Sequence, residues 1–189
     1  PQIVANYAAA FIRAHHAAGV LTALKHFPGH GSSTTDSHEG FVDISKTWHA
    51  DELRPYRALI GEGLVDMVMV GHLYYADYGE GARHLPASLS RQWIEGVLRE
   101  QLDFGGVVVS DDLEMGAIRD HFDLHDAVVT AVRAGVDVLL FSNTAKYDPA
   151  LAKKVRDILV AEANKDPAFR ARIEQSYRRI VALKGRIAD

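Results

Sequence analysis

Four short apolar runs, each preceded by a helix-like segment and each ending in polar residues, constrain this chain more than any other feature. They are VLTALKHF (20–27), VDMVMVGHLYY (65–75), GGVVVSDDLEM (105–115) and VDVLLFSN (136–143). An unbroken apolar run suits a strand buried on both faces, and such strands belong to a parallel sheet covered by helices. The segments between them carry helical signals. PQIVANYAAAFIRAHHAAGV sets Ile3, Tyr7, Phe11 and Ile12 near helical spacing and stops at Gly19. SKTWHADELRPYRALIGEG reads as a helix starting at Ser45 or Thr47, with Leu53, Tyr56 and Ile60 on one face. SRQWIEGVLREQL is opened by Ser90 and closed near Gly105, and DLHDAVVTAVRAG runs from Asp123 to Gly135. Two helices finish the chain, opened by Asp148-Pro149 and Asp166-Pro167, since an aspartate cap followed by proline suits a first turn. The predicted class is therefore α/β, a helix followed by four parallel strand–helix units. Periodicity accommodates equally an open four-stranded sheet and half of an eight-stranded barrel.

In parallel α/β folds ligands gather at the carboxyl ends of the strands, so Lys25 and His26, His72, Ser110 to Asp112, and Ser142-Asn143 are expected to converge. The first of these endings runs into LKHFPGHGSSTTDSHEG (24–40). His26 and His30 have the spacing of two metal ligands on one helix face, but Pro28-Gly29 between them forbids that helix. A metal held by His26, His30, His38 and an aspartate from another loop stays open on the residues alone. PGHGSS supplies too few glycines ahead of a helix to cradle a phosphate. Asp36, two residues from His38, can accept its ring N–H and favour the charged ring, giving a proton donor and acceptor near neutral pH. The alternative is a turn in which Asp36 bonds backbone amides and His38 is merely exposed. Asp111 and Asp112 are adjacent on a strand and should point to opposite faces, one toward the site and the other capping the following turn.

Composition narrows the partners. With 189 residues, 48% of them hydrophobic, the chain can bury one ordinary globular core. A net charge of -4, with acids and bases mixed along the chain, argues against a nucleic-acid groove or a polybasic membrane patch and favours a neutral or weakly charged small substrate. There is no cysteine, hence no disulfide and no thiolate metal site. No run reaches the roughly 18 apolar residues of a membrane span. The chain opens on Pro1 rather than methionine, so an upstream segment is expected.

KHFPGHGSSTTDSH together with GGVVVSDDLEMGAI resembles glycoside hydrolase family 3, and within it the β-N-acetylhexosaminidases. The likeness continues through LPASLS, AGVDVLLFSN and SYRRIVALK. The resemblance implies a (β/α)8 TIM barrel, with residues 1–189 as the C-terminal half of its catalytic domain and the N-terminal half absent. It implies retaining hydrolysis of terminal non-reducing β-N-acetylglucosamine, with Asp111 as nucleophile, His38 as general acid/base and Asp36 orienting His38. Lys25 and His26 would bind sugar hydroxyls, and neither a metal nor another cofactor is implied. The partners are then an N-acetylglucosamine-containing glycan and the missing half barrel, without which this stretch is expected to be inactive. Ser32 to Thr35 depart from the more acidic loop of the hexosaminidase group, which bears on substrate. A β-glucosidase or glycoside phosphorylase of the same family is the alternative, because a histidine acid/base places less negative charge near an incoming phosphate. A non-catalytic carbohydrate-binding fragment is another. Relatives with this chemistry serve peptidoglycan recycling inside cells and also act outside them. The reading leans cytoplasmic and leaves a secreted or cell-envelope form open.

Overall fold

The computed structural model describes residues 1–35, 40, 42–78, 84–144 and 146–187. All four expected strands form: β1 (Ala23–Phe27), β3 (Met67–Val70), β5 (Val107–Asp112) and β6 (Val138–Leu140) make one sheet in the order β1-β3-β5-β6, every pair parallel. Each strand therefore lies beside the one before it in sequence, with no reversal of direction across the sheet. Right-handed crossovers that all advance the same way put every helix on one face, as in a barrel wall and unlike a doubly wound sheet. That strand order settles what periodicity left open, and the fold is a half barrel. A separate two-stranded parallel sheet, β2 (Val42–Asp43) with β4 (Leu73–Tyr74), joins the segments that follow β1 and β3.

The main core lies between the sheet and its helices. Val68, Val70 and Val108 pack there with Ile94, Val97 and Leu98 of a π-helix (Gln92–Gln101) and with Ala127 and Ala131 of α4 (Leu124–Ala134). The alternate residues Met67 and Met69 are only half-buried and Leu140 is exposed, so the other face of the sheet is incompletely covered. Beneath the end of β1, Phe27 meets Tyr56 edge-on at 5.3 Å and Trp93 at 5.9 Å, and Trp93 meets Trp48 at 5.1 Å. This aromatic nest anchors the strand end that carries His26.

The helices correct several expectations. α1 (Gln2–Ala17) buries Ala5, Ala9 and Ile12, whereas Ile3, Tyr7 and Phe11 are 73%, 76% and 60% exposed. Small alanines allow the close approach to Leu59 of α2, and the large apolar stripe faces away from this chain. α2 (Arg54–Gly61) is preceded by a 3-10 turn at Ala50–Leu53; residues 45–47 form a turn instead, with the Ser45 amide bound to the Asp43 carboxylate at 2.8 Å. Ser90 does stand ahead of the π-helix, its hydroxyl accepting the Trp93 amide at 3.4 Å. After a short α3 (Gly116–Arg119), α4 has its expected limits, Asp123 accepting the Asp126 amide at 2.8 Å and Gly135 closing it at φ +120. α5 (Leu151–Lys165) starts later than expected, because Asp148 caps the preceding turn through the Ala150 amide. α6 (Pro167–Lys184) is capped by Asp166 with Pro167 in the first turn, as its sequence indicated.

At the amino ends of the strands, opposite the candidate site, two buried aspartates tie α6 and the residues just after it to the sheet. Asp137, just before β6, meets Arg99 at 2.8 Å, Arg172 at 2.7 Å and Arg179 at 3.2 Å, and accepts the Val108 amide at 3.0 Å and the Ser176 hydroxyl at 2.8 Å. Asp66, just before β3, holds the Thr22 amide and His16 Nε2, both at 2.7 Å, and pairs with Arg186 at 2.6 Å. Arg172 and Arg179, seven residues or two turns apart on α6, share one face of that helix, and Arg186 follows just beyond its end.

Candidate active site

β5 ends in Ser110, Asp111 and Asp112, and the strand alternation separates the two aspartates as expected. Asp111 is buried except for a sliver, and its Oδ2 lies 3.6 Å from His26 Nε2 at the end of β1. Its Oδ1 accepts the Asp112 amide at 2.9 Å. Asp112 turns the other way: Oδ1 accepts the amides of Glu114 and Ser142, each at 3.0 Å. Burial pushes the Asp112 carboxyl up, but those hydrogen bonds outweigh it and hold the group below the usual carboxylate range. Asp112 is thus the turn-capping residue of the pair. Glu114 extends the turn by accepting from the Ser142 hydroxyl at 3.3 Å and from the Asn143 amide.

His26 is half-buried, and burial lowers its pKa below the ordinary imidazole value; Asp111 opposes that shift, while Lys25, His30 and His72 add to it. The ring at neutral pH is uncharged, a hydrogen-bonding group and not a permanent counter-charge for Asp111. Lys25 is exposed one residue earlier on β1. His30 stands edge-on to His26 at 5.7 Å and its Nδ1 bonds the Ser33 hydroxyl. The loop after β1 is fastened to the turn before α2: Ser32 donates to Glu52, and Gly29, at φ +131, has the Glu52 side chain where a Cβ would project. Only glycine meets both conditions there.

Lys25 and His26 also line a cavity of about 660 Å³ that opens beside β1 over Val4, Leu24 and Leu59. Of the expected site residues, Lys25, His26 and Asp111 are placed by the structure, and His26 and Asp111 are brought together. Asp36 and His38 lie outside the described residues. The metal alternative finds no group of three donors around His26 and His30 among the described residues; there, only Asp123, His125 and Asp126 bring three donor atoms within 4.8 Å, and all three are exposed.

His72 reaches the site in a way the sequence did not disclose. It is buried, with Nδ1 2.7 Å from the Ser88 hydroxyl and Nε2 2.8 Å from the Asp112 carbonyl. Ser142 and Asn143 meet the same turn, so all four strand endings converge as expected.

The family model for the glycosyl hydrolase family 3 N-terminal domain matches residues 1–183. The chain belongs to glycosyl hydrolase family 3. A β-hexosaminidase of Xylella fastidiosa (strain M23) is 36% identical over 192 residues, covering 100% of this chain and 53% of the relative. One from Stenotrophomonas maltophilia (strain R551-3) is 40% identical over 157 residues, covering 80% of this chain and 44% of its own length. Among solved structures, the family 3 β-N-acetylglucosaminidase of Paenibacillus sp. str. FPU-7 matches 98% of the chain and 34% of its own at a TM-score of 0.84 and 36% identity. The β-N-acetylhexosaminidase of Beutenbergia cavernae DSM 12333 matches 96% and 52% at 0.85 and 33%. This family 3 chain thus spans about half the length of the curated relatives it matches. Among its described residues no helix is long and apolar enough to cross a membrane.

Proposed function

We propose that this chain supplies the catalytic residues of a retaining β-N-acetylhexosaminidase acting on terminal non-reducing N-acetylglucosamine. The observation that carries the reading is the placement of Asp111: a nearly enclosed carboxylate at the carboxyl end of a barrel strand, held by one amide and facing His26. In the reaction, an Asp111 oxygen attacks the anomeric carbon as the aglycone oxygen departs with a proton from His38, leaving a covalent glycosyl-enzyme. His38 then takes a proton from water, water attacks the same carbon, and the sugar leaves with Asp111 restored. Asp36 orients His38 and favours its charged ring, and Lys25 and His26 bind sugar hydroxyls. The family membership and the names of the relatives support the substrate class.

The remaining barrel half is the partner this reading requires. Residues 1–189 form part of a catalytic domain whose upstream half pairs with β1 and β6 and seats in the cavity beside β1. In the full-length protein that carries this chain, Asp111→Ala should lose turnover of an aryl β-N-acetylglucosaminide by roughly 10³-fold or more, while Asp112→Ala keeps measurable turnover. Equal losses in both variants would remove the distinction between them and with it the assignment of Asp111.

A further inference from the structure

Asp112 is held at every polar group it has. Its amide donates to Asp111 Oδ1 at 2.9 Å, its carboxylate accepts two amides, and its carbonyl accepts the Met115 amide at 3.0 Å and His72 Nε2 at 2.8 Å. Of these partners only His72 comes from another strand's end and through a side chain. A carbonyl can only accept, so Nε2 must carry the hydrogen, and Nδ1 is hydrogen-bonded to the Ser88 hydroxyl at 2.7 Å. Ser88 is itself fixed, its amide bound to the Gly71 carbonyl at 3.2 Å, one residue before the histidine. The end of β3, the turn at Ala87–Leu89 and the end of β5 are thereby joined through one imidazole that is 1% exposed.

We propose that His72 is a positioning residue for Asp111: by bracing the Asp112 carbonyl it fixes the residue whose amide holds the Asp111 carboxylate. The proposal rests on the reading of Asp111 as the nucleophile. His72 touches no reacting atom; it sets where the attacking oxygen stands when the sugar arrives. Burying an imidazole costs free energy that a leucine of similar size would not, and here both ring nitrogens are satisfied by that brace. Attack on an anomeric carbon is sensitive to such placement, since a displacement of about 1 Å can cost on the order of 100-fold in rate.

The test uses the full-length protein that carries this chain, an aryl β-N-acetylglucosaminide, and a fluorinated analogue that traps the glycosyl-enzyme. His72→Ala should lower kcat and the rate of covalent labelling together, by roughly 10- to 100-fold, with KM changed by no more than about threefold. His72→Gln, whose amide can donate from near the position of Nε2, should recover part of that loss. Ser88→Ala, which leaves the ring in place, should fall between His72→Ala and the parent. An active parent with labelling rates within about twofold in all three variants overturns the proposal while leaving the glycosidase reading intact. A parent that neither turns over nor becomes labelled overturns that reading and the proposal with it. If His72→Ala does not fold, the labelling rates of His72→Gln and Ser88→Ala decide by the same criterion.

Discussion

Neighbouring aspartates at the end of β5 have separate tasks because a strand sends successive side chains to opposite faces. That much was readable from VVVSDD alone, and the structure adds which is which: Asp111 faces His26, and Asp112 builds the turn. The part played by His72 was not readable, because its partners Ser88 and Asp112 lie 16 and 40 residues away and no local pattern encodes a contact between strand ends. His26 offers a pH test. Its pKa in the folded chain is depressed by burial, so between that value and the ordinary 6.5 the unfolded chain binds the proton more readily. His26 therefore opposes folding as pH falls through this window, and once protonated it pairs with Asp111, which would weaken that carboxylate as the proposed nucleophile. His26→Gln should lower kcat/KM and move the acid limb of its pH profile downward. An acid limb at the same pH in both proteins would show that His26 protonation does not limit the reaction.

At the scale of elements, strands were easier to read than helix starts. Each strand is marked by a short, mostly apolar run that ends in polar residues, whereas Ser45, Thr47 and Asp148 are capping residue types that the chain places in turns ahead of the helices. Which face of α1 is buried was read only in part: of Ile3, Tyr7, Phe11 and Ile12, which hydrophobicity favoured, Ile12 alone is buried, beside the alanines that close helix packing selected. The buried aspartates before β3 and β6 left a faint trace, the recurrence of Gly-x-Val-Asp or Gly-Val-Asp ahead of a strand at 63–66 and 135–137. Asp137 is the stronger clamp. Burial raises its pKa, but the Val108 amide and the arginines outweigh this and hold it below 3.8, while burial brings Arg99 down to about 10. Asp137→Asn leaves buried guanidinium groups without their charge partner and should destabilise the folded protein by about 3 kcal/mol near neutral pH. A depressed carboxylate stabilises above its unfolded pKa and loses that contribution as pH falls through the folded value, so the gap between variant and parent should close on acidification. Denaturant titrations at several pH values measure it; a variant as stable as its parent at pH 7 would mean that the clamp adds nothing net.

For the whole molecule, four parallel strands in sequential order present, among the described residues, unpaired edges at β1 and β6, an under-covered sheet face, and an apolar stripe on α1 that none of those residues covers. Exposed edges and patches of that kind favour association. Residues 1–189 expressed alone should therefore associate and show no turnover, and size-exclusion chromatography giving a monodisperse, cooperatively melting monomer would mean that the half barrel is self-sufficient. The catalytic chemistry is tested more directly by covalent trapping. Full-length protein incubated with a fluorinated β-N-acetylglucosaminide, digested and analysed by mass spectrometry, should carry one glycosyl residue on the peptide containing Asp111, and fragmentation should place it on that carboxylate. A label on any other residue, or turnover of the substrate with no covalent adduct on Asp111, would contradict the assignment of this aspartate as the nucleophile.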